Sequence, residues 1–399
     1  MPLILTINTG SSSLRSALIA VEGEEVHRHA SIAIERIGAA QSNADVTLSA
    51  KSKTQSTVHV PDHTAALEWA LKQFADADLL GDIAAVGHRI VHGGSRHNAP
   101  ELISSEVVED LRALVPIDPE HLPQAIAAIE VISNQLSDVP QIALFDTHFH
   151  DTMPLVAKAL PLPQSVTQEG VRRFGFHGLS YESTMHHLMR NERSRAEGRL
   201  IIAHLGAGAS MAAVHHGQSV DTTMGFTPTG GLMMGTRPGD LDPGLLLYLL
   251  QVRAMSPEQV SDLLNKQSGL LGVSGTSQDM RDLLAAESAD PAASLAIDLF
   301  CHIASKHLAG LTASLGGLNT LVFTGGIGEH SPAIRARICR PLGYLGVTLD
   351  TAANDRSDAV ISAPDGRVHV AVIHADEEAT IARQTLPFVA IAGGPHAAL

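Results

Sequence analysis

The sequence predicts an α/β chain built from two similar domains, and three observations carry that prediction. The apolar run Leu3-Ile4-Leu5-Thr6-Ile7-Asn8-Thr9 empties into Gly10-Ser11-Ser12-Ser13. A β-branched strand that ends on a glycine and hydroxyl side chains makes a tight turn whose N–H groups face an anion, although an ordinary Ser/Gly hairpin reads the same way. The pattern then returns: Leu200-Ile201-Ile202-Ala203-His204-Leu205 runs into Gly206-Ala207-Gly208-Ala209-Ser210, with Gly206 falling 196 residues after Gly10. Each copy is followed by a second apolar stretch, Ala17-Leu18-Ile19 and Ala212-Ala213-Val214. Finally, 399 residues exceed what one core holds and suit two domains of ordinary size.

Composition narrows the function classes. Apolar residues make up 44% of the chain, enough for two cores, and the net charge of −15 has no basic block to offset it. Nucleic acid and anionic membrane are therefore disfavoured as partners, and an anionic substrate needs a local group of Arg or Lys. No signal peptide opens the sequence and no run reaches the roughly 18 apolar residues of a membrane span, so a cytoplasmic protein is expected. Cys301 and Cys339 then read as buried thiols.

Taken in order, residues 17 to 60 alternate weakly as strands, with a hairpin turn at Val21-Glu22-Gly23-Glu24. A helix follows over Asp62 to Phe74. A strand at Ile83 to Gly87 then delivers His88-Arg89-Ile90-Val91-His92-Gly93-Gly94. An Arg beside paired glycines suits an anion, because the guanidinium offers a planar fork and glycine allows close approach; an ion-paired surface Arg is the plainer alternative. Helices are expected at 104 to 114 and 119 to 136, then a buried strand over Gln141 to Phe145. Asp146 sits at its C-terminal end, where open α/β sheets bind ligands, as a metal or catalytic carboxylate or as a cap on the next turn. His148 and His150 lack a third metal ligand at a recognisable spacing.

The second half opens on Arg172-Arg173-Phe174-Gly175-Phe176-His177-Gly178-Leu179-Ser180 and a helix to about Glu192. After the second glycine turn, residues Asp221 to Pro243 crowd glycines around Arg237, Asp240 and Asp242 and read as an active-site loop. Helices are expected at about 242 to 253, 256 to 265, 277 to 287 and 293 to 314. The strand Thr320 to Phe323 ends in a third turn, Thr324-Gly325-Gly326-Ile327-Gly328-Glu329-His330, which suits a nucleotide, ahead of a helix at Pro332. The strand Val368 to Ile373 and a helix capped by Asp376-Glu377-Glu378 close the chain.

These stretches, from INTGSSSL through GHRIVHGG, ALFDTHFH, RRFGFHGLS, AHLGAGAS, DTTMGFTPTGGLMMGTRPGD, GVSGTSQDMRD and FTGGIGEH to DEEATIAR, resemble the acetate kinase family in order over nearly the whole length. The resemblance implies a duplicated actin-like ATPase fold, two ribonuclease-H-like domains with a cleft between them, at residues 1–146 plus 380–399 and 147–379. It also implies reversible in-line transfer of the ATP γ-phosphoryl group to acetate, giving acetyl phosphate and ADP, with Mg2+ or alternatively Mn2+, in a homodimer.

The chemistry suits that reading. A carboxylate is already ionised at pH 7 and needs no general base, so the obstacle is bringing one anion onto another. By resemblance, Arg89 and Arg237 meet in one crevice and neutralise charge, His177 donates to the phosphoryl oxygens, and Asn8, Asp146 and Glu377 order the metal and its waters. Asn8, Ser11, Ser13 and Arg15 form the first phosphate turn, and His204, Gly206 and Gly208 the second. Asp279, Met280, Arg281, Gly326, Ile327 and His330 attend the nucleotide, while Val91, Ile117, Phe176 and Pro228 line a pocket for the methyl group.

Several positions depart from the family pattern. Ala207 replaces Asn, His330 Asn and Gly325 Ala, while Ile117-Asp118-Pro119 stands for Leu-His-Asn. Leu179 and Tyr181 replace Thr and His, Gly230 replaces Glu and Pro238 Ser. Propionate or butyrate as the acceptor, and a nucleotide-binding sensor without turnover, remain as alternatives.

Overall fold

The computed structural model describes residues 1–23, 25–49 and 52–392. Glu24, in the expected hairpin turn, and residues 393–399 of the closing segment lie outside the described residues. The chain divides into two compact units, Met1–His148 with Asp376–Leu399, and Phe149–Ala375.

The first unit carries β1 (Leu3–Thr9), β2 (Ser13–Glu22), β3 (Glu25–Glu35), β4 (Ser42–Ser49), β5 (Ser52–Val58), β6 (Ile83–Ile90), β7 (Glu101–Leu102) and β8 (Gln141–Phe145). Among the described residues they form one sheet in the order β5-β4-β3-β2-β1-β6-β8-β7. From β5 to β1 the strands are antiparallel; β1, β6 and β8 run parallel. One face buries Leu5, Ile7, Leu18 and Val86 against Leu67, Ala70 and Phe74 of the helix His63–Asp76, and against Val131 and Ile132 of the helix Leu122–Gln135. On the other, Ala382 of the closing helix Glu377–Ala392 packs on Ile4, Ala17 and Ile19. Gly87 makes that contact close, since a Cβ there would lie 2.3 Å from Thr385 Oγ1 and 2.6 Å from Ile381 Cγ2. The consequence is that Glu377, at the head of this helix, is held by a tightly packed element.

The second unit carries β9 (Leu200–Leu205), β10 (Ala209–His215), β11 (Gln218–Thr222), β12 (Thr320–Thr324) and β13 (His369–Val372), in the order β11-β10-β9-β12-β13. Strands β9 to β11 are antiparallel and β9, β12 and β13 parallel. This order matches β3-β2-β1-β6-β8, so the repeat of the two glycine turns extends to a repeat of five strands. The duplicated α/β architecture expected from the sequence is present. Helix Gly178–Asn191 lays Tyr181, Met185 and Leu188 on one face of this sheet. The 25-residue helix Pro291–Leu315, almost wholly apolar on its inner side, packs against β9, β10 and β11.

Three expectations are corrected. The strand at Ile83 runs to Ile90 because β8 continues the ladder, pairing Arg89 with Leu144 and Ile90 with Phe145. The helix expected from residue 119 begins at Leu122, with Pro123 in its first turn where a missing N–H costs nothing. The third glycine turn is itself a short helix, Gly325–His330, whose first N–H is taken by Glu329 Oε1 at 2.9 Å.

Candidate active site

In the first unit the C-terminal ends of three adjacent parallel strands assemble a charged network. Asn8 is near the end of β1, Arg89 near the end of β6, and Asp146 follows β8, its N–H donating to Ile90 O at 2.9 Å. Arg89 Nε donates to both Asp146 oxygens at 3.1 and 3.0 Å, and Nη2 to Oδ2 at 2.6 Å. Nη1 donates to Asn8 Oδ1 at 2.9 Å, and Asn8 Nδ2 in turn to Glu377 Oε2 at 2.8 Å, with Arg89 Nη1 3.9 Å from the same oxygen. The Asp146 side chain is 1% exposed and that of Arg89 14%. Burial opposes the Arg89 charge, yet Asp146, with Glu377 and Asp118, holds its pKa above the ordinary arginine range. A buried ion pair of this kind holds a fixed guanidinium rather than adding much stability. Two carboxylates and a carboxamide oxygen around it are hard donors of the sort Mg2+ accepts, an ion that takes one or two carboxylates and keeps several waters.

The first glycine turn closes through Gly10 N–H to Ser13 O at 2.8 Å, and His63 Nε2 donates to Gly10 O at 2.8 Å. Burial lowers the pKa of His63. Ser11 and Arg15 are exposed and Ser13 half-buried. Asp118 is buried and accepts from His121 Nδ1 at 2.8 Å. Val91 is buried just beyond β6, and Ile117 is half-buried.

In the second unit the spacing of His177, Ser180 and Tyr181 places all three on one face of the helix Gly178–Asn191, toward the β9–β10 turn. His177 is the residue before the first helical turn and adopts a left-handed backbone, φ +61°, uncommon outside glycine although histidine is among the side chains that adopt it more often. Its Nδ1 hydrogen-bonds Ser210 Oγ at 2.8 Å, and Ser210 Oγ also bonds the Tyr181 hydroxyl. Its ring stacks on His204 with centroids 4.4 Å apart, and His204 Nδ1 bonds Ser180 Oγ at 2.7 Å.

The loop after β11 returns to the same turn, Gly235 N–H donating to Ala207 O at 3.0 Å. Arg237 Nη1 donates to Pro228 O at 2.6 Å. A Cβ on Gly208 would lie 3.0 Å from both His177 Nε2 and Arg237 Nη2, so a side chain there would press on both groups. A cation and a ring nitrogen converging on a strand–turn–strand are suited to an anion whose charge is spread over several oxygens.

The remaining expected residues take varied places. The Gly326 N–H lies 3.9 Å from a Cβ position on Gly206, so the third glycine segment flanks the second turn. Gly326 and His330 are exposed and Ile327 half-buried. Asp279 caps the helix Met280–Ala286 and holds Arg281 through both oxygens, with Arg281 Nη2 at 2.6 Å. The Met280 side chain is buried, as are Phe176 and Pro228. The structure brings together Asn8, Arg89, Asp146 and Glu377 in one unit, and His177, His204, Gly206, Gly208, Gly326 and Arg237 in the other.

Other polar residues of these motifs are structural. Arg173 donates to the carbonyls of Thr222, Thr223 and Met224. His150 is buried between Ser219 Oγ at 2.9 Å and Phe176 O at 3.0 Å, and burial pushes its pKa down to about 4. Among the described residues no group of three or more His, Cys, Asp or Glu side chains is placed to hold a metal ion, and His148 Nδ1 donates to Asn98 O. Sequence reasoning does not single out Ser180 and Ser210; the only signal was the helical spacing of Ser180 and Tyr181 from His177.

Comparison with known proteins bears on this geometry. The model of the acetokinase family matches residues 3–383. An acetate kinase of Rhodopseudomonas palustris is 44% identical over 391 residues, covering 95% of this chain and 96% of the relative. The crystal structure of the Porphyromonas gingivalis acetate kinase superposes with a TM-score of 0.85 at 34% identity, covering 98% of this chain and all of that one. That of a propionate kinase from Francisella tularensis gives 0.88 at 33% identity, covering 96% and 99%.

Proposed function

The chain belongs to the acetokinase family, and we infer from that membership that it is an ATP-dependent phosphotransferase with a carboxylate acceptor, an acetate kinase. The observation that carries the mechanism is the convergence of His177 Nε2 and the Arg237 guanidinium on Gly208. The acceptor is an anion at pH 7 and needs no base. What limits attack on the γ-phosphoryl is repulsion, which positive groups fixed in advance relieve without reorganisation.

Arg237 and His177 then stabilise the charge of the transferring group. Arg89, locked by Asp146 and Asn8, orients and neutralises the attacking carboxylate. Asp146 and Glu377, with Asn8, would hold Mg2+ or Mn2+, which would supply positive charge against the phosphates. Ser11, Ser13 and Arg15, with His204, Gly206 and Gly208, serve the phosphates, while Asp279, Met280, Arg281, Gly326, Ile327 and His330 serve the rest of the nucleotide. Val91, Ile117, Phe176 and Pro228 receive the methyl group. The likeness to a propionate kinase supports a second reading in which the acceptor is one methylene longer.

A homodimer is supported by the helix Pro243–Gln251, where Leu245, Leu247 and Tyr248 are exposed together, an apolar face suited to a second copy. The net charge of −15 disfavours nucleic acid as a partner. No helix among the described residues is long and apolar enough to cross a membrane. A reaction that draws on ATP suits the cytoplasm.

Trapping the acyl phosphate with hydroxylamine, in the presence of Mg-ATP and acetate, tests the reading. Acetyl hydroxamate is expected, and its absence at millimolar acetate would favour a binding protein without turnover.

A further inference from the structure

We propose that Tyr181 and Ser210 are positioning residues for His177, forming a hydroxyl relay that fixes which ring nitrogen carries the proton. Tyr181 is fully buried, its ring packed 5.5 Å from the rings of both Phe149 and His150, so its hydroxyl is held in place rather than solvated. That hydroxyl bonds Ser210 Oγ, and Ser210 Oγ bonds His177 Nδ1 at 2.8 Å. Ser210 has one proton to give. A phenol is a far stronger acid than an aliphatic alcohol, so Tyr181 is the donor of its bond and Ser210 the acceptor. The Ser210 proton then points at His177, Nδ1 accepts it, and the neutral imidazole carries its own proton on Nε2.

Nε2 is the nitrogen that faces the Gly208 turn beside Arg237. In this tautomer the ring presents a donor to an anion; in the other it would present a lone pair and repel it. The helical spacing of four residues between His177 and Tyr181 and the pairing of Ser210 with His204 across β9 and β10 bring the three groups together.

The inference rests on His177 serving the phosphoryl group as proposed above, and His177→Ala tests that premise separately. In the wild-type background, Tyr181→Phe keeps the ring packing and removes only the hydroxyl. The expected result is a loss of about tenfold in kcat, the size of one hydrogen bond, with KM for ATP and for the acid within about twofold. Ser210→Ala is expected to lose at least as much, and the double variant no more than Ser210→Ala alone, because the relay runs from Tyr181 through Ser210 to His177.

The 15N shifts of His177, assigned by comparison with His177→Asn, are expected to report protonation at Nε2 in the wild type and a mixed tautomer in Ser210→Ala. Unchanged kcat in Tyr181→Phe, or losses that multiply in the double variant, would overturn the proposal. So would a proton on Nδ1 in the wild type. Should Tyr181→Phe fail to fold, Ser210→Thr against Ser210→Ala decides: the threonine variant is expected to retain activity, and equal loss in both would overturn the relay.

Discussion

The Arg89 guanidinium grips the buried carboxylate of Asp146, with Nη2 2.6 Å from Oδ2 and Nε within 3.1 Å of both oxygens. Two residues 57 positions apart in sequence are thereby a single unit, and neither can be altered alone. Arg89→Ala is expected to lower kcat a hundredfold or more, by roughly the range that loss of one fixed charge donor produces. It is also expected to cost about 3 to 5 kcal/mol of stability, since Asp146 is left buried without its partner. Steady-state kinetics and urea unfolding measure the two effects. Near-normal turnover would remove Arg89 from the reaction.

Arg237 makes a second prediction. It is half-buried, and its Nη1 donates to the carbonyl of Pro228 at 2.6 Å. Arg237→Ala is expected to reduce kcat by a hundredfold or more, with KM for ATP changed only a few-fold. A variant that loses affinity for ATP and keeps kcat would assign Arg237 to nucleotide binding instead.

Gly208→Ala is a test by volume alone. The added methyl would stand 3.0 Å from both His177 Nε2 and Arg237 Nη2, occupying space in front of both groups. Turnover is expected to fall at least tenfold with the thermal midpoint little changed, as measured by coupled assay and calorimetry. Full activity would mean that the two side chains do not act at this turn.

The pocket proposed for the methyl group sets the acceptor. A methylene in an apolar pocket is worth about 1 to 3 kcal/mol, so kcat/KM for acetate, propionate and butyrate is expected to differ by roughly 10- to 200-fold between neighbours in the series, with acetate first. A clear preference for propionate would transfer the assignment to the longer acid.

Stability should depend on pH through buried histidines. Burial lowers His88 and His150 to about 4, below the ordinary value of 6.5. Between these values the unfolded chain binds protons that the folded chain refuses, so stability falls as pH drops from about 6.5 to about 4. Each group contributes at most about 1.4 kcal/mol per pH unit in that window. Urea midpoints measured across it are expected to decline, and His150→Gln to flatten the slope. A flat profile in the wild type would mean that neither ring is held neutral.

The sequence by itself determined the duplication, the strands that build it and most of the charged residues at their ends. A β-branched run into a glycine and small polar residues is a local signal, and it occurred twice at Gly10 and Gly206. It also made Arg89, Asp146, His177 and Arg237 stand out, because each lies beside glycines or at a strand end. What only the tertiary structure decided was partnership. That Asp146 holds Arg89, that Glu377 reaches Asn8 from 369 residues away, and that Tyr181 reaches His177 through Ser210 are consequences of strand order and of helices packed on a sheet. The physical reason is that propensity and periodicity act over a turn or two of chain. A hydrogen bond is set by positions in space that the whole core must close to define, so no local pattern around Ser210 or Glu377 could announce it.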